Sequence, residues 1–331
     1  MDQESRVFVT GGSGFLGGVL LARLQERGTP VRALARSERA AARIQERGAQ
    51  VVRGDLSERD VLVAGMQGCR VVYHCAAAVG DLHSFADSWQ ANVVGTDTVL
   101  DAARSAGVAC VVHVSSEQVV SDGGPLRDID ETHPYPDKCF GHYATTKAES
   151  ERRALAADGD GMRVVAVRPR LIWGVGDTTV LPRMIDAVRG GSFAWIGGGR
   201  YRISTCHVAN AVEGLLCAAD RGRGGHSYFV TDGESVEFRD FASRLLATHE
   251  VTAPERSIPF WLIWRLARVM EFGWRWLPLK GAPPVTRMGL AVVGQEVTVR
   301  DDKAREELGY GNRVTIEQGL AEMTAARRTT T

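Results

Sequence analysis

Val7-Phe8-Val9-Thr10-Gly11-Gly12-Ser13-Gly14-Phe15-Leu16-Gly17 decides how the chain folds. Val7 to Thr10 reads as a short apolar strand. Phe15 to Glu26 then repeats apolar residues at helical spacing. Between them Gly12, Gly14 and Gly17 fit GxGxxG, and Gly11, Gly14 and Gly17 fit GxxGxxG. Glycines at such a corner allow backbone angles that other residues avoid, and they let a pyrophosphate approach the main chain. The helix start behind them offers free N–H groups and the positive end of a dipole. A glycine-rich loop without a ligand would fit the same pattern, but a strand before and a helix after favour dinucleotide binding. Thr10, Gly11, Gly12, Ser13, Gly14, Phe15, Leu16 and Gly17 are therefore candidate cofactor contacts.

The same rhythm extends outward. Strands are expected at Val31–Ala35, Val51–Val52, Val71–Cys75, Ala109–Val114 and Val164–Arg168. Helices are expected at Ala40–Arg47, Val61–Met66, Asn92–Ala106 and Tyr143–Ala157. Short apolar strands alternating with helices build right-handed βαβ units and a parallel sheet covered on both faces. After Pro169 the rhythm changes. Leu181–Val188 and His207–Ala219 read as helices, and Phe193–Ile196 and Tyr228–Val230 as isolated strands. The expected fold is α/β: a doubly wound parallel sheet (Rossmann fold) with a smaller C-terminal mixed α/β substrate-binding cap. Residues 1–170 would form the dinucleotide-binding domain, which takes back segments near 200–230. Residues 171–328 would mainly form the cap, and Thr329-Thr330-Thr331 a disordered tail.

Composition narrows the function. The 331 residues hold 40 Lys plus Arg and 40 Asp plus Glu, so the formal charge is zero. That argues against a nucleic-acid binder working through a basic surface, and against an acidic tail. Six cysteines form no CxxC pair and no Cys/His set has zinc spacing, so no metal is expected. Cys75, Cys110 and Cys217 sit in apolar runs, as reduced cysteines of a cytoplasmic protein would. The start Met1 to Arg6 has no apolar signal core, and no run of about 18 uncharged apolar residues could span a bilayer. His74, His113 and His207 lack ligand partners and read as packed or capping residues.

Cofactor choice is legible at the second strand, which ends Ala33-Leu34-Ala35-Arg36-Ser37. An acid is expected there to hold a ribose 2′-hydroxyl. Arg36 stands in its place and suits a 2′-phosphate, so NADP(H) is preferred and NAD(H) is the alternative. A solvated arginine at a strand end is the plainer reading. Asp55 in Gly54-Asp55-Leu56 could accept from an adenine amine, or could form a turn. Ser37 and Leu56 belong to the same candidate set.

Tyr143 and Lys147, in Tyr143-Ala144-Thr145-Thr146-Lys147, share one helix face. An ammonium near a phenol favours the phenolate, so the expectation is a lowered Tyr143 pKa and proton transfer near neutral pH. Most YxxxK pairs are surface decoration. Ser115 and Ser116, however, follow the apolar strand Val111-Val112-His113-Val114, at the strand end where such sheets bind ligands. The order of glycine turn, strand-end serine and YxxxK is far more specific than any one part.

Together these residues resemble the short-chain dehydrogenase/reductases of the extended type. Further matches are His74-Cys75-Ala76-Ala77, Asn92 in Asn92-Val93-Val94-Gly95-Thr96, Arg168-Pro169 with Gly174 to Asp177, and His207-Val208-Ala209-Asn210. The resemblance makes Tyr143 the acid/base, and makes Lys147 a residue that lowers its pKa and holds the nicotinamide ribose. It makes Ser116 the residue that orients the substrate oxygen, three before Val119. It adds Ala76 and Ala77 to the cofactor contacts and leaves Asn92 a structural helper. Ser121 departs from the glycine common at its position. Arg168 to Asp177, Tyr228 to Glu234 and Asp301 to Tyr310 resemble the 3β-hydroxysteroid dehydrogenase-like branch. That branch implies an NADP(H)-dependent oxidoreductase interconverting a ketone and a secondary alcohol on a small lipophilic substrate: steroid-like, a 2-alkyl-3-oxo acid or an aryl ketone. A homodimer through the helices beginning near Asn92 and Tyr143 is implied as well.

Two other readings stay open. A nucleotide-sugar epimerase or dehydratase with bound NAD would carry a diphosphate-binding arginine where Ile203 stands, and Arg202 is one place off. A non-catalytic NADP(H)-sensing protein would have no need of Ser116, Tyr143 and Lys147 together. Ile258 to Leu279 holds four of the seven tryptophans, Trp261, Trp264, Trp274 and Trp276, interrupted by Arg265, Arg268 and Arg275. Basic residues opposite a broad aromatic face suit a helix lying on a membrane surface or gating a lipophilic substrate. A cap helix packed on the core is the plainer reading. Asp81 to Ser84 could touch substrate or be a plain loop.

Overall fold

The computed structural model describes residues 6–79, 84–276 and 285–330. Seven strands form one parallel sheet: β1 (Val7–Thr10), β2 (Val31–Ala35), β3 (Gln50–Arg53), β4 (Val71–His74), β5 (Cys110–Val114), β7 (Arg163–Pro169) and β12 (Ser227–Val230). Their order is β12-β7-β5-β4-β1-β2-β3. Val7 pairs with Val31 on one side and Val71 on the other. The chain thus runs out to β3 and returns across β1 to β4. The carboxyl ends of β1 and β4 make the crevice where the winding reverses, which is where open α/β sheets bind ligands.

The strands are nearly continuous in apolar residues because helices cover both faces. On one face lie α1 (Phe15–Glu26), α2 (Glu38–Glu46), α8 (Val208–Arg221) and α12 (Asp302–Leu308), which bury Leu20, Leu21, Ile44, Leu215 and Leu308 with Val9 and Val112. On the other lie α3 (Arg59–Met66), α5 (Gly95–Ser105) and α6 (His142–Ala156), which bury Leu62, Met66, Val99 and Ala154 with Phe8 and Val111.

A second, mixed part is built from small strands and helices. β6 (Leu126–Ile129), β10 (Arg202–Ile203), β13 (Val236–Glu237) and β15 (Val297–Val299) form a sheet ordered β13-β10-β15-β6. β8 (Ile172–Trp173) pairs with β11 (Cys206–His207), and β9 (Trp195–Ile196) with β14 (Ser257–Ile258). Helices α7 (Leu181–Arg189), α9 (Phe238–Ala247) and α13 (Ile316–Thr330) enclose Trp173, Trp195, Phe238 and Phe241. Helix α10 (Phe260–Trp276) rests on α11 (Arg287–Val293) through Ile263, Ala267 and Leu290.

Several boundaries differ from the sequence expectations, each for a local reason. The helix expected from Asn92 begins at α4 (Phe85–Trp89), capped by Ser84, and passes through one π-helical turn, Gln90–Val94, into α5. The expected strand Phe193–Ile196 shrinks to Trp195–Ile196, because the Phe193 N–H closes onto Ala187 at the end of α7. His207 does not open α8 from inside; its ring caps it by accepting from the Ala209 N–H. β6 and β15 went unread: β6 carries Arg and Asp, and β15 has three residues. The tail expected to be disordered is helical through Thr330, and Thr329 donates to the Ala325 carbonyl oxygen. Residues 81–83 of the Asp81–Ser84 loop and 277–279 of the tryptophan-rich segment lie outside the described residues.

Candidate active site

Gly11 turns the chain at φ 72°, and the Gly14 N–H closes onto the Gly11 carbonyl oxygen at 3.0 Å. A Cβ on Gly11 would meet the Ala76 nitrogen at 2.7 Å, and one on Gly17 would meet the Gly11 oxygen at 2.3 Å. Only glycine allows the turn to sit against the end of β4 and α1 to start beneath it. Gly14 is the N-cap of α1, is exposed, and brings no side-chain cap. The first N–H groups of α1 thus have no side-chain cap, and a helix start of this kind fits a pyrophosphate. Phe15 and Leu16 are half-buried at the helix start, with Ser13 beside them. Arg47, which the sequence reading missed, places a guanidinium nitrogen 3.5 Å from the Gly12 carbonyl oxygen.

Thr10 ties the turn to its neighbours. Its Oγ1 accepts from the Ala76 N–H and lies 2.7 Å from His74 Nδ1, while His74 Nε2 lies 3.0 Å from Thr96 Oγ1. Burial, with Lys147 nearby, holds His74 down to about 3, so it is a neutral brace. Ala77 continues the half-buried edge beyond Ala76.

At the end of β2, Arg36 is 84% exposed, and its Nε lies 3.9 Å from Asp55 Oδ2. Both groups are open to a ligand on the same rim. Two candidate side chains already have structural work. Ser37 Oγ caps α2 by accepting from the Ala40 N–H, and Asp55 Oδ1 accepts from the Ser57 N–H and hydroxyl. The turn-forming alternative for Asp55 is thus realised by one oxygen, while the other faces Arg36. Leu56 lies where a Cβ on Gly95 would touch its side chain at 3.1 Å, so it packs inward on α5.

Ser116 follows β5, and Tyr143 and Lys147 lie in the first turns of α6. The structure brings the three together. Tyr143 hydrogen-bonds the Ser116 side chain. Lys147 is buried, and its Nζ donates to the Val114 carbonyl oxygen at 2.6 Å and lies 3.3 Å from His113 Nε2. Burial lowers Lys147 to about 8, with Glu151 and Cys75 opposing. Burial and then the Glu117 charge raise the Tyr143 phenol well above its ordinary value, and the Ser116 hydrogen bond opposes them. The expected lowering of Tyr143 by Lys147 is therefore absent here. The ammonium donates to the end of β5, and the charge that acts on the phenol is the negative one of Glu117. Asn92 accepts from the Ala78 N–H at 2.7 Å and donates to Thr146 Oγ1 at 3.0 Å, which joins the loop after β4 to the turn carrying Lys147.

Two buried ion pairs brace the site, and sequence reasoning found neither. Glu151 on α6 pairs with Arg168 on β7 at 2.5 Å, and Tyr135 hydrogen-bonds the same carboxylate. Burial opposes ionisation of Glu151, but Arg168 outweighs it and holds the carboxyl below its usual range. Glu117 accepts from Ser116 Oγ at 2.8 Å and lies 3.4 Å from Arg170. The available signal was three charges, Glu117, Arg168 and Arg170, inside otherwise core-like stretches, Ser115 to Val120 and Arg168 to Trp173. Among the described residues no group of three His, Cys, Asp or Glu could hold a metal ion.

Ile203 is buried and Arg202 exposed, so the two point to opposite faces of β10. Arg202 Nε donates to the Ser235 hydroxyl at 2.8 Å. On α10, Trp261, Leu262, Leu266, Val269 and Phe272 face outward, with exposures from 45 to 67%. Arg265 stands over the Trp261 ring on that same face, rather than on a separate basic face. Trp264 turns inward and stacks on Phe140, three residues before Tyr143. No described helix is long and apolar enough to cross a membrane.

Residues 7–230 match the NAD dependent epimerase/dehydratase family. A 4-hydroxy-2-methyl-3-oxo-4-farnesyl-3,4-dihydroquinoline-1-oxide ketoreductase of Stigmatella aurantiaca is 50% identical over 315 residues, 95% of this chain and 94% of the relative. A 2-alkyl-3-oxoalkanoate reductase of Stenotrophomonas maltophilia is 33% identical over 335 residues, 97% and 99% of the two chains. The crystal structure of gox2253 superposes with a TM-score of 0.79 at 28% identity, covering 99% of each chain.

Proposed function

The chain belongs to the NAD dependent epimerase/dehydratase family, among the extended short-chain dehydrogenase/reductases of the 3β-hydroxysteroid dehydrogenase-like branch, and from that membership we propose that it is an NADP(H)-dependent ketoreductase. Its substrate is a lipophilic ketone or the matching secondary alcohol: steroid-like, a 2-alkyl-3-oxo acid or an aryl ketone. The observation that carries this is the meeting of Ser116, Tyr143 and Lys147 beside the glycine turn's crevice. The names of the two relatives, a ketoreductase and a 3-oxo reductase, support the substrate class.

The residues fit the cofactor. The turn Thr10 to Gly17 and the open start of α1 take the pyrophosphate. Arg36, with Ser37, takes the 2′-phosphate, because its guanidinium is exposed and Asp55 holds it only at 3.9 Å. Asp55 would flank the adenine with Leu56 packed on α5 behind it, and Ala76 and Ala77 would lie on the nicotinamide side. NADPH, when bound, supplies the hydride to the carbonyl carbon. Tyr143, kept protonated by burial and by Glu117, gives its proton to the carbonyl oxygen. Ser116 holds that oxygen and the phenol in register, and Lys147 steadies the ribose and the end of β5.

A nucleotide-sugar epimerase with bound NAD is the less favoured reading, because apolar Ile203 stands at the diphosphate position. The outward face of α10 suits an anionic membrane surface, where a lipophilic substrate would be met: its apolar side chains are accompanied by the exposed Arg265 and Arg268. We infer a cytoplasmic homodimer through α5 and α6, which analytical ultracentrifugation would check. The activity test is NADPH consumption against 3-keto steroids, 2-alkyl-3-oxo acids, aryl ketones and a keto nucleotide sugar. Steady oxidation with a lipophilic ketone is expected. No net consumption with any of them would point instead to the epimerase or to an NADP(H) sensor.

A further inference from the structure

The buried carboxylate of Glu117 stands beside the reacting hydroxyls, and its two oxygens are engaged differently. Oε1 lies 3.4 Å from Arg170, and Oε2 accepts from the Ser116 hydroxyl at 2.8 Å. Arg170 is not free to meet another anion. It is 1% exposed, and its second arm donates to the Val292 carbonyl oxygen at 2.7 Å. Glu117 also lines a cavity of about 10 Å³, room for one water-sized group. Gln118 lines the same cavity, and its Oε1 is buried with no partner among the described residues. Phe140, Met288, Ala291 and Val292 give the cavity apolar walls. Acceptors set among apolar walls call for a donor, because a buried polar group left unpaired is costly.

Resting on the ketoreductase reading, we propose that Glu117 is a specificity-determining residue: it selects ketones with a hydroxyl on the carbon next to the carbonyl, and rejects those with a carboxylate close to it. A ketone oxygen has two lone pairs, one for the Tyr143 O–H and one for the Ser116 O–H. When Ser116 turns its proton to the ketone, Glu117 Oε2 loses its donor. A hydroxyl on the neighbouring carbon replaces it. Its oxygen stands about one hydrogen-bond length from the ketone oxygen, as Oε2 does from Ser116 Oγ. Each proton then has one acceptor, and Tyr143 keeps its own for the oxygen that is reduced. A 3-oxo acid instead brings a second carboxylate towards Glu117, with no donor to offer and with Arg170 already committed. The substrate is thereby narrowed to a neutral, hydroxylated ketone with a steroid-like or aryl body.

Matched pairs of ketones test this, each followed by NADPH oxidation. Benzoin is set against deoxybenzoin, a 2-hydroxy-3-keto steroid against its parent, and 3-oxodecanoate against its methyl ester. In the wild type, kcat/KM is expected to favour the hydroxylated member by about 10–100-fold, the worth of a hydrogen bond to a charged acceptor. It is expected to favour the ester over the acid by about tenfold or more. Glu117→Gln keeps the shape and removes the charge. Arg170 carries only donors, so it draws the amide oxygen to itself and leaves the NH2 towards the cavity. Both preferences are then expected to shrink about tenfold. Any change at Tyr143 falls on both members of a pair and cancels in the ratio.

A merely structural loss would lower every substrate together and leave the ratios alone, and that outcome overturns the proposal. So does a wild type that reduces hydroxylated and parent ketones alike, or the acid as well as its ester. If Glu117→Gln fails to fold, Glu117→Leu with Arg170→Met removes both charges together, and the same two shifts are required. Failure of the ketoreductase reading looks different: the wild type itself would then reduce none of the ketones.

Discussion

Lys147 Nζ donates to the Val114 carbonyl oxygen at 2.6 Å, on the last residue of β5, two positions before Ser116. The lysine of the YxxxK pair thus braces the strand end. Its contact also sets the height of β5 against α6, and so the approach of Ser116 to Tyr143.

That burial gives a pH signature. Lys147 falls to about 8 in the folded protein against 10.5 in the unfolded chain. Below pH 8 the buried ammonium weakens the fold. Between about 8 and 10.5 the unfolded chain holds the proton that the folded one has released, so stability rises with pH. Lys147→Met removes this dependence. Urea melts at several pH values should show the variant favoured by up to about 3 kcal/mol near pH 7, with the advantage fading by pH 10.

Replacing Tyr143 with Phe keeps the ring and removes the proton. Turnover is expected to fall by roughly 10²–10⁴-fold. NADPH binding, read by fluorescence, is expected to stay within about twofold. The raised phenol keeps ketone reduction supplied with acid, while alcohol oxidation, which needs phenolate, should climb as pH rises. A Tyr143→Phe variant that turns over normally would sink the catalytic assignment.

Arg36 should decide between the two dinucleotides. Arg36→Glu presents a carboxylate to the 2′-position, repelling a phosphate and accepting from a hydroxyl. NADPH affinity is expected to drop on the order of 10–100-fold, as for the loss of a charge-assisted contact. NADH affinity should hold or improve. Parallel titrations with both nucleotides measure it, and an unchanged ratio would make Arg36 a bystander.

The glycine turn offers a graded pair. Gly17→Ala would drive a Cβ to 2.3 Å from the Gly11 oxygen, whereas at Gly14 the nearest contact is 3.3 Å from that same atom. Gly17→Ala is expected to cost about 1–3 kcal/mol and to abolish dinucleotide binding. Gly14→Ala should be milder in stability and should act mainly on binding, since that position is open. Thermal melts with and without NADPH separate the two.

On α10, Trp261→Ser with Phe272→Ser strips two of the most exposed apolar side chains. Cosedimentation with anionic vesicles is expected to fall several-fold, while activity on a water-soluble ketone stays the same. Equal sedimentation of both proteins would return α10 to a plain cap helix.

Local sequence was enough for the parts whose physics is local. The turn from Thr10 to Gly17 needs only its glycines, a preceding strand and a following helix. The alternation of strands and helices declares a parallel sheet. Tyr143 and Lys147 share a helix face by spacing alone. Contacts between distant segments were not legible, because no periodicity encodes them. Ser227–Val230 joins the sheet beside β7 only because α8 crosses back. Glu117 finds Arg170, and Lys147 finds Val114, only once β5, β7 and α6 are packed side by side. The charge felt by Tyr143 follows from those meetings. The sequence alone therefore implied a phenol made more acidic by its lysine. The tertiary structure instead surrounds that phenol with protein and a carboxylate, and both keep the proton on it.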